Sequence, residues 1–141
     1  MLIGAGAVDI PPQARDHILD LGFVSVQDKV DAFAAATVSC QPSVNESFSI
    51  VIMESWLAET PVLVNGHCAV TKSHCQQANG GLYFNNYLEF AATLDYLFDQ
   101  PIIARQMGRN GRSYVLDNYQ WPTITAKYQE LISLVSQSAT S

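Results

Sequence analysis

Two glutamates and the small residues between them carry the most chemistry in this sequence. Glu46 and Glu54 lie in the run PSVNESFSIVIME, Pro42–Glu54, with seven residues between them. Glu46 ends a polar turn, Pro42-Ser43-Val44-Asn45, and a helix is predicted from about Ser49 to Ala58. Free amides at Phe48, Ser49 and Ile50, at the start of that helix, suit a phosphate. Carboxylates accept hydrogen bonds from hydroxyls. Together they suit a sugar linked to phosphate. Glu54 falls among Ile50, Met53 and Leu57 at three-four spacing, on the expected inward stripe, where an unbound carboxylate is costly. The plainer assignment makes Glu46 a capping acid and Glu54 a surface charge. On spacing alone it stands slightly ahead, since two glutamates eight positions apart are common.

The flanking pattern says what positions this run. Apolar strands are predicted at Met1–Ala5, Leu19–Val24, Thr37–Gln41, Val62–Val64 and Leu82–Phe84. Helices are predicted from Pro11-Pro12 to about Ile18, from Ser25 to Ala36 with Asp28 as a capping acid, over Tyr87–Phe98, from Pro101 through Met107 with Arg112–Leu116 continuing it after Gly108 and Gly111, and from Trp121 onward. The stretch from His67 to Gln77 reads as irregular or weakly helical, and Gln137–Ser141 as a polar tail. Apolar strands alternating with helices predict an α/β fold with a Rossmann-like parallel sheet and helices on both faces. In such sheets ligands sit at the carboxyl ends of strands, where Glu46 falls.

Composition narrows the function classes. The chain has 141 residues, 48% hydrophobic and 14% charged, with a net charge of −6. That suits one domain with a real core. Its thinly scattered cations argue against a nucleic-acid groove. No apolar run approaches the roughly 20 residues of a membrane span. Three cysteines argue against a disulfide framework and for a reducing compartment. A cytoplasmic location is expected, with the membrane surface as the alternative.

The run PSVNESFSIVIMESWLAETPVLV, with LGFVS before it and GLYF, MGRNGRSYV and the Tyr119–Trp121 segment after it, resembles retaining glycosyltransferases of the GT-B fold, family 4. The likeness covers nearly the whole chain and is to the family's carboxyl-terminal domain. It implies one domain over residues 1–141 that binds a nucleotide-sugar donor (a UDP-, GDP- or ADP-sugar), with no metal and no other cofactor. Carried over, Glu46 would meet the transferred sugar and have the catalytic role. Phe48, Ser49 and Ile50 would offer backbone groups to sugar and diphosphate, and Glu54 would hold the ribose hydroxyls. Three departures stand out. Ser49 replaces the family's usual Gly. Asn65-Gly66-His67-Cys68 replaces a Gly-Gly-x-x-Glu segment. Nothing matches the Gly-Arg…Lys-Gly segment whose cations hold the diphosphate. The resemblance therefore implies a domain lacking its first strand and helix, a missing amino-terminal acceptor domain as partner, and room for a homo-oligomer. The alternative is a non-catalytic nucleotide- or sugar-binding or interaction module.

Other candidates are weaker. Gly4-Ala5-Gly6 starts like a dinucleotide fingerprint, but Asp9 replaces the third Gly and prolines follow. His67-Cys68 and His74-Cys75 could hold zinc, yet adjacent ligands rarely reach one metal; burial of Cys68, Cys75 and Cys40 is the expected use. Arg105, Arg109 and Arg112 read as a solvated helix face, or as a contact for another domain. Tyr114, Tyr119, Trp121 and Tyr128 read as packing against the sheet, and Ile124, Leu131 and Val135 as an apolar stripe on the last helix.

Overall fold

The computed structural model describes residues 1–6 and 8–138. Ala7 of the Gly4–Asp9 run and residues 139–141 of the polar tail lie outside the described residues. Three parallel strands, β1 (Ser39–Gln41), β2 (Val62–Asn65) and β3 (Gly81–Phe84), pair in that order. Among the described residues six α-helices accompany them: α1 (Val26–Ala35), α2 (Ile50–Leu57), α3 (Ala69–Ala78), α4 (Tyr87–Asp99), α5 (Pro101–Asn118) and α6 (Trp121–Ser138). The predicted α/β class is found. Val62, Leu63 and Val64 are all 0% exposed. Successive strand side chains alternate, so both faces of β2 are covered.

The core forms where α2 meets the sheet and α5. Ile52, Met53, Ser55 and Trp56 are its buried face. Of the predicted Ile50-Met53-Leu57 line Met53 is buried, but Ile52 and Trp56 complete the stripe while Ile50 and Leu57 are exposed. Ile50 is 65% exposed, and Glu54 is half-buried beside the stripe rather than on it. Trp56 sits in a slot between Gly80 and Gly111 and donates from Nε1 to the Gly80 carbonyl at 2.8 Å. The helix expected to continue past Gly108 and Gly111 does so: α5 runs unbroken, and these two glycines let it approach α2 closely.

Other expectations are corrected. The segments at Met1–Ala5 and Leu19–Val24 form one parallel bridge, Leu2 with Asp20, and stay outside the three-stranded sheet. Leu2, Leu19 and Leu21 are exposed, because nothing described covers them. The Pro11-Pro12 helix shrinks to a 3-10 turn at Pro12–Ala14. The stretch from His67 is mostly regular helix: Thr71, Cys75 and Ala78 are buried at helical spacing between polar neighbours that obscure the stripe. Along α4, Leu88, Ala91, Ala92, Leu94 and Leu97 fall at the spacing of one apolar face, yet Leu97 is buried and Leu88 is 78% exposed. Cys40 is exposed, on the edge strand of the described sheet. Arg112 is not simply solvated: it donates to the Leu57 carbonyl at 2.6 Å, and with Arg109 it flanks Glu59. No helix is long and apolar enough to cross a membrane among the described residues.

Candidate functional site

The carboxyl ends of β1 and β2 open into two loops that are tied together. Asn65 donates from Nδ2 to the Pro42 carbonyl at 3.0 Å, and its Oδ1 accepts from the His67 amide at 3.0 Å. His67 Nε2 meets the Asn85 carbonyl at 3.1 Å, beyond the end of β3. Between the loops lies a cleft of about 500 Å³, lined by Val44–Ser47 and His67–Val70. Glu46 lines it, half-buried, with Oε1 accepting from Gln41 Nε2 at 3.1 Å. Cys68 lies in the opposite wall. Desolvation would raise its pKa, but the Thr71 hydroxyl and the amides of Thr71, Val70 and Glu46 outweigh it and lower the pKa. The cleft lining contains no Lys or Arg.

Ser49 is the unusual residue at the rim. It is the cap of α2, yet its backbone is left-handed at φ 63° and its hydroxyl makes no cap bond. It is 6% exposed, and its Oγ has no hydrogen-bond partner among the described residues. A non-glycine residue in that conformation is strained, and a buried orphan hydroxyl costs more. The first amides of α2 leave the same point with no side-chain cap.

The other predicted residues separate. Phe48 turns its ring into an aromatic cluster, 5.3 Å from the His74 ring and 5.1 Å from Tyr119. Only its backbone is left for a ligand. Glu54 does not line the cleft; it faces α1, where Lys29 Nζ reaches Oε1 at 2.6 Å. Lys29 was not legible as a site residue, because it lies 25 positions from its partner and outside the Pro42–Glu54 run. The two His-Cys pairs diverge. His67 turns to Asn85, His74 Nδ1 meets the Tyr114 hydroxyl at 2.9 Å, and burial pushes Cys75 up to about 12. No group of three metal-ligating side chains forms among the described residues. At the opposite end of the sheet a second hollow of about 440 Å³ lies between Thr37, Pro61 and α5, lined by Arg105 and Arg109.

Residues 13–114 match the profile of the family described as Glycosyl transferases group 1. The chain is 31% identical over 97 residues to a trehalose synthase of Rubrobacter xylanophilus, covering 68% of this chain and 23% of that protein. It is 26% identical over 131 residues to an MMP alpha-(1->4)-mannosyltransferase of Mycolicibacterium hassiacum, covering 80% and 29%. A sucrose-phosphate synthase structure from Thermosynechococcus elongatus superposes with a TM-score of 0.74 at 22% identity, over 87% of this chain and 31% of that one. That likeness places the architecture in the GT-B fold. The chain thus spans about a quarter of the length of the curated relatives it matches.

Proposed function

The chain belongs to the group 1 glycosyl transferases, and from that membership we propose that it is the donor-binding part of a retaining enzyme. The enzyme would move a sugar from a UDP-, GDP- or ADP-sugar to an acceptor hydroxyl. The observation that carries the donor site is Ser49: strained, buried, and with an unpartnered hydroxyl at the uncapped start of α2. Strain and an orphan polar atom are tolerated together where a ligand completes the site. A diphosphate there would take the α2 amides and the Ser49 hydroxyl. Glu46, in the adjoining cleft, would accept from the hydroxyls of the transferred sugar. The amides would then stabilise the charge growing on the diphosphate as it leaves an oxocarbenium-like transition state. Glu54 would hold the ribose. The acceptor would come from an amino-terminal domain, and the setting would be cytoplasmic.

A second reading is favoured by the absence of Lys and Arg from the cleft lining. It is a non-catalytic nucleotide- or sugar-binding module. Calorimetric titration of UDP-, GDP- and ADP-sugars into wild type and Glu54→Ala tests the shared donor site. One donor is expected to bind. Loss of the carboxylate is expected to weaken it about 10-fold, the usual size of a hydrogen bond to a charged group. No binding, or an indifferent Glu54→Ala, removes the donor-site reading.

A further inference from the structure

Glu54 is oriented before any ligand arrives. Lys29 Nζ holds Oε1 at 2.6 Å, while no protein group among the described residues reaches Oε2. The lysine comes from a helix whose start is fixed. Ser25 Oγ accepts from the Asp28 amide at 3.1 Å and donates to the Asp28 carboxylate at 2.7 Å, and the Lys29 amide donates to the Ser25 carbonyl at 3.0 Å. Yet α1 buries no residue. Beyond the Lys29 pair, one hydrogen bond among the described residues ties α1 to later elements: Thr60 Oγ1 to the Phe33 carbonyl, 2.6 Å. Both partners of the ion pair are about one-third exposed, 32% and 29%. A pair this open to water adds little to fold stability, but it does fix one rotamer of a carboxylate with a free oxygen. That oxygen is on the helix whose start carries the strained, orphaned Ser49.

We propose that Lys29 is a positioning residue for the nucleotide's ribose. It pins Glu54 through Oε1, so that Oε2 meets a ribose hydroxyl without first losing side-chain freedom. This rests on the donor-site reading above.

The test compares Lys29→Met, Lys29→Arg and wild type for binding of a ribonucleoside diphosphate and of its 2′,3′-dideoxy analogue, with thermal unfolding alongside. The probes are UDP, GDP and ADP, each with its dideoxy form. Lys29→Met is expected to weaken the ribonucleotide about 2- to 10-fold, the range of a single hydrogen bond, and to leave the dideoxy form unchanged. Lys29→Arg is expected to keep the preference for ribose. If Lys29→Met does not fold, Lys29→Gln takes its place in the same comparison. Equal losses for both probes, or none for either, overturn the positioning role while leaving the donor site standing. Failure of wild type to bind any of the three removes the donor site and this inference with it.

Discussion

At the scale of single residues, polar atoms are held by specific partners, and those partners decide behaviour. His74 shows this most clearly. Its Nδ1 meets the Tyr114 hydroxyl, and the rings of Phe48, Tyr114 and Tyr119 stand edge-on around it at 5.3, 6.0 and 6.0 Å. Burial lowers its pKa from 6.5. In the unfolded chain the pKa returns to about 6.5. Between those values the unfolded state binds more protons, so stability rises with pH. The contribution is whole above about pH 6.5 and is lost as pH falls through the folded-state value. Denaturant unfolding of wild type and His74→Gln at pH 7.5, 6.5 and 5.5 is expected to give a shallower acid loss in the variant. Equal slopes would show that His74 carries none of it. The identity of the residues in the Pro42–Glu54 run could be read from the sequence. Their separation could not: whether Glu54 faces the Glu46 cleft or α1 depends on a contact 25 positions away.

At the scale of elements, glycines set how closely helices approach. A Cβ at Gly111 would overlap the Trp56 ring, and one at Gly108 would overlap the Glu59 carbonyl. On an exposed helix, Gly→Ala gains about 1 kcal/mol of propensity. Here overpacking costs about 1–3 kcal/mol, and the overlap is with a rigid indole that is itself 0% exposed. Gly111→Ala is therefore expected to destabilise by about 1–2 kcal/mol, read as a lower denaturant midpoint. A higher midpoint would show that α5 can slide off α2. The same contact gives the two glycines their reason. Two glycines in one helix look like a break until the neighbour they admit is known. α3 was obscured for the converse reason: its buried face uses Thr71, Cys75 and Ala78, which carry little hydropathy. β2 was legible because its whole apolar run is buried, and α2 because Ile52, Met53 and Trp56 are large apolar residues on one face.

At the scale of the whole molecule, the placement of charge decides what the domain can do alone. Seven cations serve a chain of net charge −6. Lys29 is on Glu54, Lys72 lies 4.6 Å from the Tyr83 ring centroid, and Arg109 and Arg112 flank Glu59. Arg105 lines the hollow at the opposite end of the sheet. None lines the Glu46 cleft. A diphosphate there would rely on helix amides, whose partial charges act within about one turn. Two outcomes are expected from the 141-residue chain. Binding of a nucleotide-sugar should be weak and nearly flat from about 50 to 300 mM salt, because neutral amides rather than exposed cations hold the phosphates. No sugar should be transferred or hydrolysed from UDP-, GDP- or ADP-sugars, since the leaving diphosphate lacks a compensating cation. Product analysis by mass spectrometry after prolonged incubation checks the second point. Turnover above the uncatalysed rate would mean that the amides and Ser49 suffice, and that the cations expected from the family resemblance are dispensable here. A steep loss of affinity with salt would instead mean that a lysine or arginine reaches the ligand from outside the cleft. Lys29 is the candidate, because its ammonium is held on Glu54, on the helix whose start carries Ser49.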